Sequence, residues 1–251
     1  MKVFNEYADY YDLFYKDKNY SEEVDYVLLL MNKYAQIPVR DILDLGCGTG
    51  RHISHFCKQG VCGVGVDYSL PMLVKAQQNV SGSNWQFVAS DVRNIALYKQ
   101  FDAVISLFHV ASYQIAEREL SAFIRSGYNH LKKGGIFLFD FWHGPAVLKK
   151  PPVYRKKEIE FDGKLIKREA YPLINKNRYT VRVKYIFSIK DKSDQNVSKF
   201  TESHNMRYWF EDEIIRENKT HAISQCKCFE WMTEKALSSD NWNGLCLLVK
   251  Q

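Results

Sequence analysis

The sequence predicts an α/β protein, a mainly parallel sheet covered by helices and interrupted late in the chain by an antiparallel sheet. Three observations carry that expectation. Between residues 41 and 141 short apolar runs alternate with helical stretches, the rhythm of strands joined by covering helices. A glycine-rich turn, Gly46-Cys47-Gly48-Thr49-Gly50, leaves the first of those runs and enters a helix carrying Ile53, Phe56 and Cys57. After Trp142 the pattern changes to residue-by-residue alternation around Asp162-Gly163, a two-residue hairpin signal.

In chain order, an aromatic stretch comes first, with Tyr7, Tyr10, Tyr11, Phe14, Tyr15 and Tyr20. Ser21 is then placed to cap a helix, Glu22 and Glu23 favour its dipole, and Val24, Val27, Leu28 and Met31 share one apolar face. Strands are expected at residues 42–45, 62–66, 86–89, 101–107 and 136–141. Ser69 and Pro71 start a helix that turns Met72, Leu73 and Ala76 inward. Leu120, Phe123, Ile124 and Leu131 mark another, which Lys132-Lys133-Gly134-Gly135 should stop, since glycine accepts the left-handed conformation of a helix end. Val181, Val183, Tyr185, Phe187 and Ile189 alternate along a half-buried strand. A second run covers 200–210, a helix 210–218 and a last core strand 245–249. The chain thus divides into a helical segment and α/β core (1–149), an inserted antiparallel sheet (150–210) forming an acceptor pocket or dimer interface, and a return to the core (211–251).

Composition narrows the function. With 251 residues, 46% hydrophobic and 25% charged, the chain can bury a sizeable core. Its longest apolar run, residues 26–31, is far short of a membrane span, and no signal-peptide pattern opens the sequence, so a soluble cytoplasmic protein is expected. The net charge of +6 is scattered rather than striped, which argues against nucleic acid and suits a small acidic substrate. The six cysteines form no CxxC pair and no metal-ligand spacing is present, so no metal is expected.

The chemistry concentrates at the strand ends. Nicotinamide and flavin sites use G-x-G-x-x-G to present a helix N-terminus to pyrophosphate. Here the spacing is G-x-G-x-G, and Asp44 precedes it, an acid that would repel pyrophosphate but suits a cationic ligand. Asp67 ends the next strand, placed to accept hydrogen bonds from a ribose diol. Asp91, with Val92, follows the third strand, within reach of an adenine amino group. Three acids at three successive strand ends are far more specific than any one of them.

The run DLGCGTG, then GVGVDYSLPML, SDVRN, FDAVISLF and LKKGG, resembles the class I S-adenosylmethionine-dependent methyltransferases over about residues 40–141. The resemblance implies a Rossmann-like seven-stranded sheet with helices on both faces, S-adenosyl-L-methionine as donor and S-adenosyl-L-homocysteine as product. It puts Asp44 and Gly46 near the methionine moiety, Asp67 at the ribose, Asp91 and Val92 at the adenine, and Gly48 and Leu107 among the donor contacts. The N-terminal Tyr-Ala-Asp-Tyr-Tyr-Asp, the segment Leu107-Phe108-His109-Val110-Ala111-Ser112-Tyr113, Asp140-Phe141-Trp142 and the inserted sheet are similar to amino-sugar N,N-dimethyltransferases, which act on nucleotide-linked 3-amino sugars. That likeness implies a donor contact for Tyr11 and an acceptor contact for Tyr20. The chain departs from it at Tyr113, where that group has histidine, and at Asn243, where it has arginine.

Methyl transfer from a sulfonium needs alignment and exclusion of water more than strong acid–base chemistry. An amine acceptor needs at most a weak base, a hydroxyl a good one, and the sequence leaves both open. His109 and Tyr113 are the catalytic candidates. Trp142, His143, Tyr20 and Asn243 are the candidates for the acceptor wall, and Trp142 and Tyr11 could face a sulfonium by cation–π attraction. His204, within the inserted sheet, reads as structural. A homodimer is compatible with the pattern.

Overall fold

The computed structural model describes residues 3–80, 84–219, 221 and 223–251. Helices α1 (Ala8–Phe14) and α2 (Tyr20–Tyr34) precede β1 (Asp41–Leu45). Then follow α3 (Arg51–Lys58), β2 (Cys62–Asp67), α4 (Leu70–Asn79), β3 (Trp85–Ala89) and β4 (Phe101–Ser106). A 3₁₀ turn (Val110–Tyr113) leads to α5 (Glu117–Asn129), β5 (Leu131–Trp142) and α6 (Gly144–Lys149). The insertion holds β6 (Arg155–Phe161), β7 (Lys164–Asn175), β8 (Thr180–Asp191) and β9 (Val197–Arg207). Helix α7 (Glu211–Asn218), β10 (Ile223–Glu230) and β11 (Asn243–Lys250) complete the chain.

The first sheet has seven strands in the order β10-β11-β5-β4-β1-β2-β3. β1 to β5 run parallel, while β11 is antiparallel to both β5 and β10. The strand order reverses between β1 and β4, and such switch points open a crevice beyond the carboxyl ends of the strands. The sheet is buried on both faces, so its strands alternate between two cores. Ile42, Ala103, Ile105, Ile136 and Leu138 pack with Val27 and Leu30 of α2 and Ile53 and Phe56 of α3. Leu43, Leu45, Val104, Phe137 and Phe139 pack on the other face with Leu120, Phe123 and Ile124 of α5 and Ile214 of α7.

The second sheet is a simple meander, β6-β7-β8-β9. Asp162 (φ 47°) and Gly163 (φ 70°) adopt the paired left-handed conformation that a tight hairpin requires. The alternation in β8 works as read: Val181, Val183, Phe187 and Ile189 are buried. Ile159, Ile166, Phe187 and Ile189 pack against Tyr7 and Phe14, so the inserted sheet carries the N-terminal segment on its inner face.

Several local expectations need correction. The cap of α2 is Asn19, whose side chain accepts the Glu22 N–H at 3.2 Å; Ser21 already lies inside the helix. The Ser69 cap stands, accepting the Met72 N–H at 3.3 Å with Pro71 in the first turn. Helix α5 ends before the two glycines, with His130 as its C-cap. Gly134 is left-handed (φ 75°), but inside an irregular entry to β5, where the register against β4 shifts. The expected last strand has a companion the periodicity did not reveal, β10, a polar edge strand that among the described residues pairs only with β11.

Candidate active site

The crevice at the switch point is a cavity of about 410 Å³. Its floor is made by the carboxyl ends of four strands: Gly46 and Gly48 after β1, Asp67 and Tyr68 at β2, Asp91 to Arg93 after β3, and Leu107 and Phe108 after β4. Met72, Val110, Tyr113 and Gln114 add to the walls, and Val3, Phe4 and Tyr11 of the N-terminal segment close one side.

Glycine is required where the floor is tightest. Gly46 has φ 84°, and a Cβ there would stand 2.5 Å from a Val110 methyl. The resulting turn lets Gly48 donate its N–H to Asp67 Oδ2 at 2.9 Å, while Ser69 N–H binds Oδ1 at 2.8 Å. Burial pushes the Asp67 carboxyl up, and those backbone donors offset part of the rise. Asp44 lies deeper, at 3% exposure, and burial together with the Asp67 charge pushes it up to about 8. Asp91 is the opposite case. The Arg93 side chain forks onto it, Nη2 to Oδ2 at 2.6 Å and Nε to Oδ1 at 2.9 Å, and holds it below the usual carboxylate range. Arg93 also reaches Glu119 at 2.8 Å, tying the β3 loop to α5.

The turn after β4 stores backbone strain. Phe108 (φ 68°) and His109 (φ 69°) are consecutive left-handed residues with side chains, at roughly 1–2 kcal/mol each. The buried Asp140 carboxylate holds them there, accepting His109 N–H at 2.7 Å. His109 Nδ1 lies 2.8 Å from the other Asp140 oxygen, at ion-pair distance but outside hydrogen-bond geometry.

The N-terminal segment is fastened from both sides. Ser69 Oγ donates to the Phe4 carbonyl at 2.7 Å, and Thr49 Oγ1 to Asp12 Oδ1 at 2.7 Å. From the insertion, Glu202 accepts the N–H groups of Phe4, Asn5 and Tyr7 at 2.8, 3.1 and 3.1 Å.

Of the residues singled out in the sequence, Tyr11, Gly46, Gly48, Asp67, Asp91, Val92, Leu107 and Tyr113 line the cavity, and Asp44 sits beneath them. The acceptor-wall candidates do not line it. His109 is turned toward Asp140 and packs between Phe108 and Trp142. Trp142 packs edge-on against Trp242, so the cation–π place beside the cavity is left to Tyr11. His143 is buried, its Nδ1 3.0 Å from the Ser238 carbonyl. Tyr20 begins α2 and packs edge-on against His52, and Asn243 pairs with Trp142 across β11 and β5. Strand-end position points to Trp142 and His143, and the likeness to amino-sugar N,N-dimethyltransferases to Tyr20 and Asn243, but none of the four is among the residues that line the cavity.

Residues 42–135 match the family described as a methyltransferase domain. The chain is an S-adenosylmethionine-dependent methyltransferase. It is 28% identical over 201 residues, 79% of this chain and 82% of the relative, to a dTDP-3-amino-3,4,6-trideoxy-alpha-D-glucopyranose N,N-dimethyltransferase of Streptomyces venezuelae. In fold it is similar to Streptomyces venezuelae DesVI, with TM-score 0.80, 24% identity and 98% of both chains covered. It is also similar to an S-adenosylmethionine-dependent methyltransferase of Clostridium acetobutylicum, with TM-score 0.81, 21% identity and 99% of both chains covered.

The methyltransferase cavity fits its donor on chemical grounds. A ribose diol needs a fixed acceptor, and Asp67 is oriented by two backbone donors. A cationic ammonium or sulfonium is favoured by a buried acid whose ionisation is otherwise held back, as at Asp44. A purine needs apolar faces, and Val92, Leu107, Met72 and Val110 supply them. Sequence reasoning missed Phe4, Tyr68, Arg93, Phe108 and Gln114. Arg93 was detectable, two residues after Asp91, where an Asp-x-Arg turn can fork onto its own carboxylate. Phe4 was not, because only the folded insertion brings it to the cavity.

Proposed function

We propose that the methyltransferase acts on the amine of a nucleotide-linked amino sugar, producing an N-methylated sugar and S-adenosyl-L-homocysteine. The observation that carries this reading is Tyr113, a half-buried tyrosine sharing the cavity with the donor-side carboxylates. Burial raises its pKa well above that of a free phenol, so it stays neutral, suited to orienting an amine and poorly suited to stripping a sugar hydroxyl. The Streptomyces venezuelae relative is named for a 3-amino sugar, as is a Streptomyces fradiae relative, the dTDP-3-amino-3,6-dideoxy-alpha-D-glucopyranose N,N-dimethyltransferase.

When bound, S-adenosylmethionine supplies an electrophilic methyl group on a sulfonium. Asp67 would hold its ribose, Asp44 its cationic end, and the Asp91–Arg93 turn its adenine edge, with Val92 and Leu107 against the base. Gly46 and Gly48 permit the close approach, and Tyr11 presents its ring to the cationic centre. Val3, Phe4 and Tyr11 keep water out, and Tyr113 with Gln114 forms the acceptor end. His109, through Asp140, fixes the strained turn that aims Phe108 and Leu107. Tyr20, Trp142, His143 and Asn243 support these walls from behind. Alignment of this kind supplies up to about 7–11 kcal/mol of the barrier reduction.

A small acceptor rather than a nucleic acid is supported by a crevice of only about 410 Å³ and by the scattered charge. No helix among the described residues is long and apolar enough to cross a membrane. No disulfide joins the six cysteines, which supports a reducing, cytoplasmic setting. The exposed row of Tyr154, Tyr171 and Leu173 on the insertion supports a homodimer through that face.

Mass spectrometry tests the central reading. Protein, S-adenosylmethionine and a dTDP-linked 3-amino sugar should yield products heavier by one and then two methylene units, while the matching 3-hydroxy sugar stays unchanged. Methylation of the hydroxy sugar alone overturns the reading.

A further inference from the structure

The inserted sheet reaches the cavity through Tyr113. Its Oη lies 2.7 Å from His204 Nδ1, and His204, on β9, is buried at 2% exposure. The other ring nitrogen, Nε2, is also buried, makes no hydrogen bond and stands 3.4 Å from Glu202 Oε2. Burial pushes the Glu202 carboxyl up, but the His204 ring and the Tyr7 and Phe4 N–H groups outweigh it and keep it below the usual carboxylate range. A line of exchangeable protons therefore runs from the cavity wall into the insertion.

We propose that Tyr113, His204 and Glu202 form a proton relay that carries the acceptor amine's proton out of the cavity. The proposal rests on the amine reading. At rest Tyr113 donates its O–H to a bare His204 Nδ1, because the Glu202 carboxylate keeps the ring proton on Nε2. The Tyr113 lone pairs then face the cavity. An incoming ammonium gives one N–H proton to Tyr113 Oη as Tyr113 passes its own to Nδ1. One N–H and one O–H bond break, a new O–H and a new N–H form, and the amine recovers the lone pair that attacks the methyl group. Tyr113 ends as it began, a neutral phenol, and the positive charge rests on an imidazolium beside Glu202. Tyr113 is the catalytic residue; His204 acts through it, and Glu202 through His204, as positioning residues.

The surroundings favour that direction of transfer. Tyr185 and Tyr7 face the His204 ring at 5.1 and 6.1 Å, Phe4 stands edge-on at 4.8 Å, and the Arg168 cation lies beyond Tyr7 and Tyr185. Glu202 is thus the nearest charge to the imidazole, and Asp67 adds a negative charge felt at Tyr113.

The test compares pH–rate profiles of native protein and His204→Asn on a dTDP-linked 3-amino sugar. Native kcat/KM should stay flat below the amine's pKa, since the ammonium form is used. In His204→Asn, which can accept from Tyr113 but cannot carry the proton, kcat/KM should be down about tenfold or more at neutral pH and recover above the amine's pKa. Donor affinity by calorimetry should be unchanged. A deficit equal at every pH, or a native rate that itself climbs with the free amine, overturns the relay. Imidazole nitrogen NMR of the native protein gives a reading independent of turnover. A bare Nδ1 and a protonated Nε2 support the relay, with that preference lost in Glu202→Gln. A proton on Nδ1 overturns it. Failure to methylate any amino sugar would count against the acceptor reading alone, since the tautomer is read without substrate.

Discussion

The two ends of the cavity are held by contacts of different range. At the donor end Asp91 is bound by Arg93 two residues away, and Asp67 by Ser69 two residues away and Gly48 nineteen away. At the acceptor end Tyr113 meets His204 across 91 residues, and Glu202 meets Phe4 across 198. The donor-side carboxylates are therefore placed by the loops that leave each strand, and are in position once the parallel sheet has formed. The acceptor end exists only after the insertion docks and the N-terminal segment folds beneath it.

Breaking the parallel sheet should have the largest effect. A Cβ on Gly63 of β2 would lie 1.9 Å from the Ile42 carbonyl oxygen, a backbone atom that cannot yield. Gly63→Ala is expected to lose more than about 3 kcal/mol of stability and donor binding with it, read by thermal unfolding and calorimetry. Asp67→Ala tests the donor end while leaving the backbone pairing of β2 with β3 in place. Losing a charged hydrogen-bond acceptor worth about 1.5–3 kcal/mol should weaken the donor roughly ten- to a hundredfold, with the acceptor end intact. Unchanged affinity in a folded variant would show that the ribose lies elsewhere.

The third prediction follows from Asp44. Its native pKa of about 8 lies above the unfolded value near 4, so its proton is bound more tightly in the folded state. Its contribution to stability without donor is full below about pH 4 and is lost as pH rises through about 8. A cationic donor prefers the ionised acid, so donor affinity should rise between pH 6 and 8, by at most about tenfold per unit, with proton release on binding. Asp44→Asn should flatten that dependence, and buffers of different ionisation enthalpy make it measurable. The smallest effect is expected at the acceptor end's outer layer. Asn243→Ala removes a side chain that does not line the cavity, so acceptor KM should change by no more than roughly threefold. A larger change would place Asn243 in direct contact with substrate.

The same difference in range explains what could be read from the sequence. Asp44, Gly46, Asp67 and Asp91 stand at the ends of recognisable strands, and a strand end together with its turn is a local pattern. The buried alternation of β8 was equally plain. His204 reads as structural because nothing near it in sequence mentions Tyr113; Trp142 and His143 are placed by a strand end whose outward direction the chain alone cannot give, and Tyr20 by likeness alone. β10 escaped notice because an edge strand with one partner needs few apolar residues: Gln225 and Lys227 are exposed.

The position of β11 also bears on how the protein is made. β5 carries the apolar row Phe137, Leu138, Phe139 and Phe141, and its second edge is closed by β11, which is translated about a hundred residues later. While the meander β6 to β9 emerges from the ribosome and pairs with its immediate neighbours, β5 has one unsatisfied edge next to its most aggregation-prone surface. A nascent chain arrested before β11 should therefore remain protease-sensitive in β5 and bound by chaperones. Once Leu245 to Val249 emerge they can slide between β5 and β10 and close that edge of the sheet.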